Sequence, residues 1–430
     1  MGAGVSRREF GKTAGLAGLG ASGAVLLGAC SDDSVTASTA AAGKAWRVSG
    51  ERGAGLGSFD SKMKSFMQAR GISCGQLAVA RKGKLVLARG YTWTNDDSLK
   101  TQPTSLFRIA SLSKPVTGAA ILRLVQEGKL SLDAPVTRLL SLTAPSGQTM
   151  DPRLKDVTVR RLLHHLGGWD SSASFDPMFR DGPVASAQGV PLPVSKANIM
   201  KYMNGHKLDR APGSKYAYSN YGYMLLGRII EQVGGADYRT YVQKKVLGPS
   251  GIQRMRLGRS LKANAVAGEV PYVSQYNAST VMDASGTKVP FPYGGFNLEN
   301  MDSHGGWLSS AVDLVRFAGL FDGANSVLNS TSIGRAFAKP ETGVESNGSW
   351  YGCGWSVRSV TKGRNTWHTG SLPGTHTILV RRYDGLTWAA LFNQRDDPSG
   401  KSYSDIDGLL HVAADAVTTW PTGDLFGKYL

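Results

Sequence analysis

Apolar residues fall at helical spacing along residues 57–70, where Phe59, Met63, Phe66 and Met67 share one face and predict an amphipathic helix. The run 76–91 has a different pattern: two apolar stretches flank a Lys-Gly turn, which predicts a β-hairpin. A long apolar helix is expected next, through Val116, Ala119, Ala120, Leu122, Leu124 and Val125, and Gly128 ends it. Residues 130–136 read as a connecting loop. The middle of the chain, about 146–299, has little strand character. It offers helices at 159–165, 196–204 and 223–233 between long Gly/Pro/Ser loops. A helix at 310–321 follows, then strand-like runs at 350–360, 366–381 and 387–393, and a terminal helix at 404–419.

A hairpin near the front, strands at the back and helices between them predict an α/β (α+β) fold. Its antiparallel sheet would be built from both chain ends and flanked by helices, with an all-helical domain inserted. The expected boundaries are 57–145 and 300–430 for the α/β part and 146–299 for the helical part. Ahead of them, 1–29 reads as an export signal and 30–56 as a tether, polar and small-residue-rich over 31–43.

The leading segment changes the expected compartment. The residues Ser6-Arg7-Arg8-Glu9-Phe10-Gly11-Lys12 resemble a twin-arginine signal, with Gly11 where a larger apolar residue is more usual. An apolar, glycine-rich run follows and ends in Leu27-Gly28-Ala29-Cys30, which resembles a bacterial lipobox. That resemblance implies acylation of Cys30, a membrane anchor and a place in the cell envelope. The competing reading is a plain secretory signal cleaved near Ala29.

Charge agrees with an envelope protein. The formal net charge is +17, and it falls by two when Arg7, Arg8, Lys12 and Glu9 leave with residues 1–29. The basic residues are scattered and not interleaved with aromatics, which argues against a nucleic-acid partner. Beyond Cys30 only Cys74 and Cys353 remain, enough for one disulfide but not for a framework. No metal or other cofactor is expected: His164-His165 are adjacent instead of at ligand spacing, with no Cys/His cluster nearby.

Candidate chemistry begins in Phe107-Arg108-Ile109-Ala110-Ser111-Leu112-Ser113-Lys114-Pro115. Proline is tolerated only near a helix start, so a helix should begin close to Ser111 and present Ser111 and Lys114 on one face. A serine there lies in the positive field of the helix N-terminus, and a lysine whose proton affinity is lowered would activate it. Ser-x-x-Lys also begins at Ser61, Ser285 and Ser359, but only the Ser111 copy opens a long apolar helix. A second segment, Tyr216-Ala217-Tyr218-Ser219-Asn220, places a phenol and a carboxamide two residues apart just before a helix. A third, Trp367-His368-Thr369-Gly370-Ser371, is a strand in which Gly370 would let a ligand lie along the backbone. The N–H groups of Ser111 and Ser371 would then form a two-donor oxyanion hole.

The ordered set Ser-x-x-Lys, Tyr-x-Asn and His-Thr-Gly resembles the class C β-lactamase superfamily. That group includes low-molecular-weight penicillin-binding proteins, D-stereospecific peptidases and family VIII esterases. The resemblance covers most of 57–420 and includes Leu162-Leu163-His164-His165-Leu166-Gly167-Gly168, Gly305-Gly306-Trp307-Leu308-Ser309 and Tyr351-Gly352-Cys353-Gly354-Trp355. It implies a crevice site with Ser111 as acyl-accepting nucleophile and Lys114 as its activator. Tyr218 is implied as general base, Asn220 as an orienting amide, and His368, Gly370 and Ser371 as pocket lining. Whether Tyr218 or Lys114 takes the serine proton stays open at this stage.

Departures from the pattern bear on the substrate. Where β-lactam-binding relatives carry the lysine of Lys-Thr-Gly, this chain has His368, whose charge at neutral pH is expected to be partial. That favours carboxylic esters or small amides over carboxylate-bearing β-lactams. The rivals are a class C-type β-lactamase, a D-alanyl-D-alanine carboxypeptidase, and a peptidoglycan-associated module whose catalysis has decayed. Specificity would lie in loops 166–195 and 262–304.

Overall fold

A computed structural model describes residues 44–429. The signal-like segment, Cys30 and residues 31–43 lie outside the described residues.

The predicted hairpin forms as β2 (Cys74–Arg81) and β3 (Lys84–Thr94), antiparallel. Lys82 and Gly83 between them both take positive φ, 49° and 77°, the backbone that a tight two-residue hairpin turn requires. Ahead of the hairpin, β1 (Ala45–Arg52) pairs with β3 from Ala45↔Thr94 to Arg52↔Leu87. The expected tether to residue 56 is therefore too long, because this edge strand belongs to the sheet. Its side chains are mostly half-exposed or exposed, so backbone pairing and the Trp46–Trp93 stack at 5.8 Å hold it, and it has no apolar alternation to announce it.

At the other end of the chain, the run expected at 350–360 is two strands, β4 (Ser349–Tyr351) and β5 (Ser356–Val360). The run expected at 366–381 likewise divides at Pro373-Gly374 into β6 (Gly363–Leu372) and β7 (Thr375–Arg381), followed by β8 (Leu386–Phe392). The sheet order is β1-β3-β2-β8-β7-β6-β5-β4, antiparallel throughout. Pairing of β2 with β8, Ala78 opposite Ala389, joins the two ends of the chain.

Alternation along these strands separates two apolar cores. Leu77, Val79, Trp388 and Ala390 face a cluster completed by α1 (Gly57–Gln68) and a C-terminal helix, Asp405–Asp415. Ala78, Ala80, Ala389 and Leu391 face a larger cluster that takes in α2 (Ser113–Gln126) and the helix Ala311–Ala318. The same cluster continues into the helices of the middle segment: Val159–Leu163, Asp181–Gln188, Lys196–Asn204 and α3 (Asn220–Gly234).

That middle segment is less purely helical than expected. Arg256–Leu257 pairs with Trp307–Ser309, which also pairs with Phe107–Arg108, and Asn277–Ser279 pairs with Lys288–Pro290. Strands of two or three residues are too short to show a period. Cys74 and Cys353 are buried and unpaired, so the disulfide that was one option does not form.

Candidate active site

Ser111 sits in a tight 3-10 turn, Ala110–Leu112, and α2 starts two residues later at Ser113. The backbone leading into it is held from several sides. Ile109 N–H donates to Trp307 O at 3.0 Å, and Arg108 N–H to the Tyr272 hydroxyl at 2.8 Å. Two threonine hydroxyls of β7 reach across: Thr375 to Arg108 O at 2.8 Å and Thr377 to Ile109 O at 3.0 Å. Ala110 takes φ +48°, a left-handed conformation that costs a non-glycine residue about 1–2 kcal/mol and persists because these contacts impose it.

Gly370 explains how β6 comes so close. A Cβ there would lie 2.3 Å from Ile109 O, 2.3 Å from Thr377 Oγ1 and 3.2 Å from Ala110 Cβ. The absent side chain clears room for the turn that carries Ser111. Ser371, the next residue on β6, is exposed, and Arg395 Nη1 lies 3.5 Å from its Oγ.

Lys114 is fully buried in the first turn of α2. Its Nζ makes three contacts: Ser111 Oγ at 3.0 Å, Asn220 Oδ1 at 2.8 Å and the carbonyl of His304 at 3.0 Å. Burial pushes its pKa well below the ordinary lysine range, and the Asp176 carboxylate opposes that shift. The amine also lies 4.6 Å from the ring centroid of Tyr218.

Tyr218 and Asn220 arrive on a short extended segment that pairs with the turn after Val159–Leu163. Ala217 N–H donates to His165 O at 3.0 Å, Ser219 N–H to His165 Nδ1 at 3.1 Å, and Gly213 N–H to Leu166 O at 2.8 Å. The Leu166–Gly168 backbone is engaged further, with Gly168 O accepting from Arg210 N–H at 3.0 Å. Ser219 then caps α3 by accepting Gly222 N–H at 3.1 Å, which makes Asn220 the first helical residue. The Tyr218 hydroxyl lies beside Ser111, and burial raises its pKa far above the ordinary phenol value. The resting site therefore holds a phenol and not a phenolate.

His368 is buried against the same cluster, its ring 6.4 Å from that of Tyr218. Nδ1 lies 2.6 Å from Thr369 O, so it donates there, and Nε2 accepts from the Tyr351 hydroxyl at 2.8 Å. Burial, reinforced by Lys114, depresses its pKa to about 3. The partial charge expected of this position is corrected to none.

Sequence reasoning missed Asp176. Its Oδ2 accepts from Asn220 Nδ2 at 2.6 Å and its Oδ1 from Met178 N–H at 3.1 Å. An Asp ahead of Pro177 signals a helix cap and nothing more, so the sequence carries no sign of the Asn220 contact. A Gly-x-Ser-x-Gly run, the local signature of a different hydrolase fold, occurs at Gly71-Ile72-Ser73-Cys74-Gly75. It leads from α1 into β2, the reverse of a strand-to-helix nucleophile elbow, and Ser73 Oγ accepts from Asn393 Nδ2 at 3.0 Å.

A buried amine between a serine hydroxyl and two carbonyl oxygens, with a phenol beside the same serine, is an arrangement suited to acyl transfer. Comparison with known proteins agrees. A family profile described as Beta-lactamase matches residues 59–411. The chain is 36% identical over 150 residues to a probable fimbrial assembly protein, FimD serogroup H1, of Dichelobacter nodosus, covering 34% of this chain and 35% of that protein. It is 28% identical over 192 residues to protein flp of Staphylococcus aureus strain COL, covering 44% of this chain and 36% of the other. The chain thus spans about a third of the length of these curated relatives. Among solved structures, an octameric penicillin-binding protein homologue from Pyrococcus abyssi superposes with a TM-score of 0.64 at 26% identity, over 84% of this chain and 77% of that one. A D-amino acid amidase from Ochrobactrum anthropi SV3 shares the fold, with a TM-score of 0.61 at 21% identity over 85% of this chain and 100% of the other. With the profile covering most of the chain and the site built as described, this protein belongs to the β-lactamase family of serine hydrolases.

Proposed function

We propose that this protein hydrolyses carboxylic esters or small amides through an acyl-enzyme on Ser111. The observation that carries the reading is the environment of Lys114 Nζ, 3.0 Å from Ser111 Oγ and bonded to two carbonyl oxygens. A neutral amine has two N–H groups and one lone pair. Asn220 Oδ1 and His304 O only accept, so they take the two N–H groups and the lone pair faces the serine hydroxyl. Lys114 accepts the serine proton as Oγ attacks the substrate carbonyl carbon. The N–H groups of Ser111 and Ser371 receive the negative oxygen of the tetrahedral intermediate. Tyr218, already protonated, gives its proton to the leaving alcohol or amine and recovers one from the Lys114 ammonium. Water then repeats the sequence on the acyl-enzyme and frees Ser111.

The neutral His368 supports uncharged substrates, because no fixed cation stands at that position to meet a carboxylate. One observation favours the β-lactamase or D-alanyl-D-alanine carboxypeptidase alternative: Arg395, at 3.5 Å from Ser371 Oγ, brings a cation to the far end of β6. The amidase named among the structural neighbours keeps small amides beside esters as substrates. An anchor through Cys30 and a place in the cell envelope complete the proposal, supported by the Leu27–Cys30 motif; metabolic palmitate labelling that survives Cys30→Ala would refute it.

Turnover of p-nitrophenyl butyrate, nitrocefin and a D-Ala-D-Ala peptide by the full-length protein tests the reading. Ester turnover should lead and should vanish in Ser111→Ala. Fast nitrocefin turnover without ester turnover would overturn the ester preference. Tyr218→Phe should lower kcat about a hundredfold; a near-normal rate would remove its role as proton carrier.

A further inference from the structure

We propose that Asp176 is a positioning residue for the Ser111–Lys114 pair: it orients the Asn220 carboxamide that bonds Lys114, and its negative charge favours the Lys114 ammonium. The inference rests on the serine-hydrolase reading above and goes beyond it by assigning a residue that none of the three motifs contains.

A carboxamide has two ends of similar shape and opposite hydrogen-bonding character. Ionised, Asp176 only accepts, so the Asn220 end at 2.6 Å from Oδ2 must be the Nδ2 donor. That leaves Oδ1 facing Lys114 Nζ at 2.8 Å. Turned the other way, Asn220 would present N–H groups to the amine, and the amine would lose one of the two acceptors that aim its lone pair at Ser111. The Asp176 carboxylate is itself held in place. It caps the turn Pro177–Phe179 through Met178 N–H, and its loop is tied down by Asp170, which pairs with Arg210 Nε at 2.7 Å and accepts Ser172 N–H at 3.0 Å. Asp209 adds bonds to Asp170 N–H at 2.8 Å and Ser174 Oγ at 3.0 Å. The orientation of Lys114 is thus referred through Asn220 to a loop 44 residues away in the chain.

Charge points the same way. The groups around Lys114 are the Tyr218 and Tyr223 phenols, the His165, His304 and His368 imidazoles, and Asp176. Burial holds the three imidazoles neutral and the two phenols protonated. Lys196 and Arg228 bear on His304, and both are paired with Asp302 at 2.6 Å. Among the described residues, Asp176 is the carboxylate whose charge acts on Lys114. It favours the ammonium, so its removal makes the amine easier to deprotonate.

The test is the pH dependence of kcat/KM for p-nitrophenyl butyrate, measured on the full-length wild type, Asp176→Asn and Asp176→Ala. Asparagine keeps an oxygen for Asn220 Nδ2 and removes the charge. Its acid limb should move down by about one pH unit, the lower end of what a neighbouring opposite charge imposes. Alanine removes the acceptor as well and should lower kcat about a hundredfold with KM little changed. An unmoved acid limb in Asp176→Asn, or a wild-type kcat in Asp176→Ala, overturns the proposal. A second readout does not need turnover: the Asn220 side-chain NH2 signals in 1H–15N spectra. One of those protons should shift in Asp176→Ala, and unchanged signals overturn the proposal even in a protein that hydrolyses nothing. Absence of Ser111-dependent turnover in the wild type would instead count against the parent reading.

Discussion

The His165 ring packs against Tyr218 at a 42° tilt with centroids 4.3 Å apart and accepts the Ser219 N–H through Nδ1 at 3.1 Å. One side chain thereby sets both the tilt of the phenol and the path of the backbone that carries it. His165 does this from a left-handed backbone, φ +59°, and burial keeps the imidazole neutral so that Nδ1 can accept.

His165→Phe keeps a ring against Tyr218 and strands the Ser219 N–H. The expected cost is about 1–3 kcal/mol in urea unfolding, with kcat down about tenfold as Tyr218 loses its alignment. His165→Asn, which tolerates the backbone and still offers an acceptor, should recover part of the stability. Equal stability of wild type and His165→Phe would show that the hydrogen bond does not matter.

Gly370→Ala tests whether β6 must press against the turn that carries Ser111. The added methyl would meet Ile109 O at 2.3 Å, and backbone cannot swing aside as a flexible side chain can. Stability should fall by about 1–3 kcal/mol and kcat by about a hundredfold, since a displacement near 1 Å at the nucleophile costs that much. A crystal structure of the variant with Ser111 in place and full activity would contradict this.

What the chain discloses, and what it hides, divides along local and tertiary lines. Ser111 and Lys114 are legible because three-residue spacing at a helix start is a local geometric fact, and the 3.0 Å contact follows from it. The turn at Lys82-Gly83 is equally local. Strand β1 escapes because its apolar content is low and its partner lies some forty residues on. The division of the apolar run 366–381 into two strands is marked by Pro373-Gly374 alone. Asp176 escapes because nothing within its own segment refers to Asn220. His368 is found as a position, but its charge depends on burial that composition does not reveal.

That charge state has a consequence for stability. An unfolded histidine titrates near 6.5, whereas His368 in the fold titrates at about 3. Between those values the unfolded chain holds a proton that the folded one refuses, so stability falls as pH drops below about 6.5 and levels off below about 3. From pH 7 to pH 5 this one group should remove about 2 kcal/mol, at roughly 1.4 kcal/mol per unit. Urea unfolding of His368→Gln at the two pH values should show a loss smaller than that of the wild type by about this amount. Equal losses would mean that His368 is solvated and charged in the folded protein.

The most direct measurement of the central claim is the mass of the protein after brief exposure to a fluorophosphonate or to penicillin, followed by peptide mapping. The account predicts a covalent adduct on the peptide that carries Ser111, absent from Ser111→Ala and slower to form in Lys114→Met. An adduct that persists in Ser111→Ala would place the nucleophile elsewhere and contradict the account.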